Sequence, residues 1–158
     1  MIKFFVFSKF AGSLATLLVG LAILAVVRRM GKKGIKGDKP AGFWIRATCL
    51  GTDFAIIDIL SAVLAYHSSL RSAGYISLGI LVVYFLFFWR RFAATPAMLL
   101  AQIKIVGAGQ AKIAGWQLIV RFLMCFFLAV GWVTILFDKK EKKALHDIAS
   151  RTRVVRSY

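Results

Sequence analysis

Asp53 stands near the middle of an apolar run, residues 43–66, where an ionised carboxylate costs about 2.5–3.5 kcal/mol on membrane-insertion scales. A carboxylate in such a place can carry a proton or coordinate a small cation. It can equally be half of a buried ion pair that fixes helix packing and nothing else. Arg46 precedes it in the same run. If the run is helical, the two side chains project within about 20° of one another but lie about 10.5 Å apart along the axis, too far for a direct pair. Arg121, at the edge of a later apolar run, is expected to approach from the same side and meet Asp53, with Arg46 above the contact. Asp58 sits about 140° round the helix from Asp53 and faces elsewhere. Thr48, Thr52 and Ser61 offer hydroxyls for hydrogen bonds between helices.

Other chemistry is thinly represented. His146 beside Asp147 has the residue types of a metal or acid–base pair, but neighbours on a helix diverge and no second His or Cys cluster stands near. The pair is expected to orient the C-terminal tail against the inner loops. Cys49 and Cys125 lie within apolar runs at no zinc or disulfide spacing and read as small packing residues. There is no phosphate-binding loop, no His-Glu-x-x-His and no Gly-x-Ser-x-Gly elbow. No enzyme activity, cofactor or metal is therefore expected.

The elements that position these residues belong in a membrane. Of 158 residues, 60% are hydrophobic, more than a soluble domain of this length can bury. The 22 Lys and Arg against 6 Asp and Glu flank the apolar runs instead of forming a basic domain. They read as topology signals and contacts for anionic lipid, not as a nucleic-acid surface. Residues 10–27, 43–66 and 73–89 are expected to be three transmembrane helices. A basic cluster (Arg28, Arg29, Lys32, Lys33, Lys36, Lys39) follows the first, and Arg90-Arg91 ends the third. Both ends are expected in the cytoplasm, with the N-terminus outside and the first helix a retained anchor. Trp44, Trp89 and Trp116 then fall at the inner interface, Tyr66 and Tyr75 at the outer one.

The last apolar run, residues 122–137, is short. Extended back to Trp116 it spans the membrane with Arg121 snorkelling and leaves the basic tail outside. Bent near Gly131 it forms a re-entrant hairpin that returns the tail to the cytoplasm. Residues 102–106 and 152–155 are β-branched and read as two brief strands. If they pair, the tail and the third loop share one side, and the hairpin is favoured. The fold class expected is thus an all-α integral membrane protein. It has three transmembrane helices plus a fourth hydrophobic helix or re-entrant hairpin, and a short cytoplasmic β pairing. Residues 1–30 make an N-terminal anchor, 31–40 a basic cytoplasmic linker, and 41–158 the membrane domain with its tail.

Two motifs in that domain resemble the RDD family of small bacterial membrane proteins, named for one arginine and two aspartates. Ala41-Gly42-Phe43-Trp44-Ile45-Arg46 followed by Asp53 is similar to the family's opening. Leu145-His146-Asp147-Ile148-Ala149, then Thr152 and Val154-Val155, resembles its closing Leu-His-Asp signature. The resemblance implies that Arg46, Asp53 and Asp147 are the eponymous three and that Arg121 matches a common arginine of the last hydrophobic region. One departure is that Thr95-Pro96 is followed by Ala97-Met98, where the family often has Gly-Lys. The family is thought to include transporters, with cation–proton exchange suggested for some members. The expected function is therefore small ion or solute transport using Asp53, in a bacterial cytoplasmic (inner) membrane. Four short helices enclose no pathway alone, so a homo-oligomer or larger complex is implied. The alternative is a non-catalytic accessory or scaffolding subunit, suggested by Gly12, Thr16 and Gly20 recurring every four residues on the first helix.

Overall fold

The structure is a computed structural model that describes residues 2–31, 40–65, 70–107, 113–127 and 144–156. Three helices are long and apolar enough to cross a membrane: α1 (Ile2–Gly31), α2 (Phe43–Ala65) and α3 (Leu70–Phe92). At about 1.5 Å per residue each exceeds the roughly 30 Å thickness of hydrocarbon. Leu18, Val63 and Val83 are among the apolar side chains left exposed on them, the surface that lipid covers. The remaining elements are α4 (Pro96–Leu100), β1 (Ile103–Gly107), α5 (Gly115–Phe127), α6 (Leu145–Ala149) and β2 (Thr152–Arg156). The chain is an all-α integral membrane protein carrying one small sheet.

The sheet is the antiparallel pair β1–β2, with Lys104 opposite Val155 and Val106 opposite Arg153. Both strands form within one residue of the stretches whose β-branched side chains marked them. Ile103, Ile105, Val154 and Val155 are buried, so the pair presents an apolar face to the helices. β2 is covered on its other edge as well. Pro40 bridges to Val155, and the Ala41 amide donates to the Val154 carbonyl at 3.0 Å. Neither edge of the tail strand is therefore left open.

After Phe92 the chain turns back into the bundle. Ala93 takes the left-handed conformation that closes many helices, with φ 52°. Its carbonyl accepts from the Ile105 amide at 2.7 Å, which ties the turn to β1. Thr95 then caps α4, accepting from the Met98 amide, with Pro96 in the first helical turn. This Ser/Thr-then-Pro start is a strong local signal for a helix N-terminus. Ala94, Thr95, Ala97 and Met98 are buried. Irregular backbone at this depth is tolerated because protein covers it.

α5 begins close to Trp116 and is amphipathic: Leu118 and Arg121 are buried while Trp116, Ile119 and Leu123 are exposed. Whether the run completes a span or bends near Gly131 concerns residues 128–143, outside the described residues. The helices on either side of that stretch, α5 and α6, are described, and they pack together. Gln117, in the first turn of α5, donates to the carbonyl of Ser150, just beyond α6, at 3.0 Å. The start of the run, the tail and the sheet thus lie together. Residues 32–39 of the basic linker and residues 66–69, Tyr66 among them, also fall outside the described residues.

Trp44, Trp116 and Tyr75 are exposed, but Trp89 is buried. α1 also does more than anchor. It runs antiparallel to α2, with Gly20 against Thr52 and the Ser13 hydroxyl donating to Asp58 at 3.3 Å. Gly20 is thus engaged within the chain, while Gly12 faces open space and accepts at its carbonyl from Thr16. Thr48 and Thr52 donate to carbonyls one turn back in α2, so their hydroxyls do not bridge helices. A Cβ at position 20 would collide with Thr52 Oγ1. Gly20→Ala is therefore expected to destabilise the folded protein by about 1–3 kcal/mol, with Thr52→Ala in the same chain recovering most of the loss. Thermal unfolding of the single and double variants in detergent checks this; an unchanged midpoint in Gly20→Ala would contradict the close approach.

Candidate functional site

Asp147 is the best connected side chain of the site and is fully buried. It occupies the first turn of α6, where its Oδ2 accepts from the amide of the preceding Ala144 at 3.1 Å. Two arginines converge on it. Arg46, in the first turn of α2, donates from Nη1 to Oδ2 at 2.5 Å. Arg121, in the middle of α5, donates from Nη1 to Oδ1 and to the Thr152 hydroxyl. Each guanidinium is also held elsewhere. Arg46 Nε donates to the Ala41 carbonyl at 3.0 Å and Nη2 to the Val154 carbonyl at 3.3 Å. The Arg121 guanidinium lies 5.6 Å from the centroid of the Trp89 ring, a cation–π distance, which accounts for the burial of Trp89.

Charge sets the ionisation here. Burial alone would raise the Asp147 carboxyl, but the Arg121 and Arg46 guanidinia hold it well below the usual carboxylate range. His146 is buried beside it, with Nε2 3.6 Å from Asp147 Oδ1. Burial, with the positive charge of Arg121, pushes the His146 imidazole down to about 3, so it is neutral at ordinary pH. Its carbonyl accepts from the Ser150 hydroxyl at 2.6 Å, and Ser150 and Thr152 join hydroxyls at 2.7 Å.

Asp53 has a different environment. It is buried, and its Oδ1 accepts from the Tyr84 hydroxyl at 2.7 Å and from the Ala97 amide at 3.2 Å. The Thr95 hydroxyl supplies a further hydrogen bond. Among the described residues it forms no ion pair. The expected Asp53–Arg121 contact is therefore corrected: Arg121 and Arg46 both go to Asp147. The reason is reach and competition. Asp53 lies about two helical turns deeper than Arg46, and α6 carries Asp147 to the guanidinia at their own level. The gap beside Asp53 is filled instead by the Ala97 amide at the start of α4, a backbone donor left without an intrahelical partner.

Asp53, Arg46, Arg121 and His146 line a common cavity of about 40 Å³, with Cys49 and Cys125 also on its wall. That is room for about one water-sized species. Neither cysteine forms a disulfide. Asp58 is exposed on the far part of α2, away from this cavity. Among the described residues no group of three or more His, Cys, Asp or Glu side chains is gathered for a metal ion. Sequence reasoning brought Arg46, Asp53, Arg121 and Asp147 forward but missed Tyr84, Thr95 and the Ala97 amide. Thr95-Pro96 was the signal for the last two; Tyr84 was marked only by a hydroxyl inside an aromatic-rich span.

Two expectations follow. Asp147→Ala leaves two buried guanidinia without their carboxylate and is expected to cost about 3–5 kcal/mol or to prevent folding. Detergent melting tests it, and a loss below about 1 kcal/mol contradicts a buried pair. The second concerns pH. The folded His146 pKa lies below its unfolded value of about 6.5, so the unfolded chain binds the extra proton. Stability is then complete above about pH 6.5 and falls as pH drops from there toward 3, with a slope approaching about 1.4 kcal/mol per pH unit. Asp147, also depressed, adds its own loss only below the ordinary carboxylate range of about 4. Melting temperatures between pH 7 and 5 for the native chain and His146→Gln check this, the histidine's share being the difference between the two slopes; equal slopes would contradict it.

Comparison with known proteins agrees with the geometry. The model of the RDD family matches residues 40–151, from the Pro40 bridge to the turn between α6 and β2. No curated protein and no solved structure matches the chain significantly. The matched stretch contains both carboxylates and both arginines of the site and leaves α1 outside; the chain belongs to the RDD family.

Proposed function

We propose that this protein moves a small ion or solute across the membrane, with Asp53 taking up and releasing a proton in a cation–proton exchange. The observation that carries the reading is that Asp53 is a buried acid with no cationic partner among the described residues, facing a water-sized cavity. A carboxylate held only by hydrogen bonds can lose its charge without breaking an ion pair, whereas Asp147 cannot. Arg46 and Arg121 on the same cavity carry one more positive charge than Asp147 cancels. That excess lies on the same cavity as Asp53 and helps it hold its charged state once the proton has left.

On this reading the protein resides in a bacterial cytoplasmic membrane with the sheet inside, since Arg28, Arg29, Arg90 and Arg91 all cap the sheet end of α1 and α3. It works as a homo-oligomer or within a larger complex, because three long helices enclose no path. The accessory-subunit reading rests on the Gly12–Thr16–Gly20 face, and Gly20 already seats Thr52 within the chain. Transport is the better supported of the two.

Asp53→Asn separates charge from structure. The amide oxygen still accepts from Tyr84 and Ala97, so the fold is expected to persist. In liposomes the native protein is expected to couple a proton gradient to cation movement, and the variant to reduce that flux to background with an unchanged melting temperature. Equal flux from both would remove Asp53 from the mechanism. No flux from either, across a panel of cations and pH values, would leave Asp53 as a packing device that docks α4.

A further inference from the structure

On the outer surface of the sheet end, a separate groove of about 1120 Å³ opens between the last turns of α3, β1 and the start of α5. Its volume exceeds the roughly 300–1,000 Å³ typical of small-ligand sites. Arg90, Arg91 and Lys104 line it, all three exposed, and among the described residues no Asp or Glu does. None of these three forms an ion pair with a described acid, although the Arg91 guanidinium lies 5.7 Å from the Phe92 ring centroid. Leu86, Phe87 and Ile119 make its apolar wall. Gly115, the first residue of the 13-residue helix α5, is also in the lining. The partial positive charge of that helix start adds to the three cations.

We infer that this groove binds one anionic phospholipid, its headgroup phosphate on Arg90, Arg91 and Lys104 and an acyl chain along Leu86, Phe87 and Ile119. The occupant is set by charge and place together. Three cations without an acid among their described neighbours call for an anion, and a basic pocket between membrane helices at their polar end is where anionic headgroups are held. The wall continues down α3 and α5 through residues that are apolar and partly exposed, the surface that faces acyl chains. A free phosphate would use the cations and leave that wall uncovered. The inference is independent of the transport reading, since the groove shares no charged residue with the Asp53 cavity.

The test is native mass spectrometry of the full chain in detergent, titrated with phosphatidylglycerol or with phosphatidylcholine of the same acyl chains. One phosphatidylglycerol per chain is expected, with phosphatidylcholine markedly weaker. R90Q/R91Q/K104Q is expected to weaken phosphatidylglycerol binding by more than about tenfold. R28Q/R29Q, which alters two exposed cations outside the groove, is expected to leave it unchanged. Ile119→Trp fills the wall without touching a charge and is expected to weaken binding too, so the inference remains testable if the triple variant fails to fold. Equal weakening by R28Q/R29Q, displacement of the lipid by inorganic phosphate, equal binding of phosphatidylcholine, or undiminished binding in Ile119→Trp overturns it.

Discussion

A carboxylate buried beside a membrane interior has to be neutralised where it sits, and the architecture of this chain follows from how Asp147 meets that demand. Its two oxygens take guanidinia from residues 101 and 26 positions away in sequence. One is anchored at the start of α2, the other in α5. The tail cannot leave this position without stranding two buried cations, a loss larger than most single contacts can compensate. β2 follows within a few residues of Asp147, and its Val154 carbonyl accepts from both Ala41 and Arg46. The ion cluster and the sheet are thus one joint, in which charge fixes the position and backbone hydrogen bonds fix the register.

The second acid is solved by other means. Asp53 lies deeper, and no cation reaches it among the described residues. α4 turns back into the bundle and offers the Ala97 amide, while Tyr84 adds a hydroxyl from α3. Dipoles tolerate either charge state of the acid better than a salt bridge does, because nothing is left unpaired when the charge goes. On the proposed reading the same side chain that holds α4 in place also exchanges a proton, whereas the charge of Asp147 is locked by its partners. The Ala97-Met98 departure from the usual family sequence falls on this joint: Ala97 provides the amide, and buried Met98 lines the cavity with no charge.

Much of this was legible in the sequence because it depends on local pattern. Apolar length marked α1, α2 and α3, and β-branched residues between turn formers marked both strands to within one residue. The spacing of Arg46 and Asp53 on one helix correctly said that they could not pair directly. What spacing could not say was which acid the arginines would choose, since the winning carboxylate arrives from the far end of the chain. Proximity along a helix axis made Asp53 the obvious partner, and long-range packing made Asp147 the actual one. α4 was signalled by Thr95-Pro96, but one helical turn is too short to register as apolar periodicity.

The reliance on polar joints has a physical reason. Between helices in lipid, apolar faces gain little from one another over acyl chains, so Leu against Leu does not choose a partner. Buried ion clusters are poor sources of net stability, and an apolar replacement of the same volume is often no worse. What they supply is a unique arrangement. In this chain each packing choice is marked by a polar or close-approach contact: Ser13 to Asp58 and Gly20 to Thr52 set α1 on α2, and Tyr84 to Asp53 sets α3 on α2. Ala97 to Asp53 sets α4, and the Asp147 cluster sets α5, α6 and the tail. The apolar side chains supply length and filling, and the few polar ones determine which of many equally greasy packings is the fold.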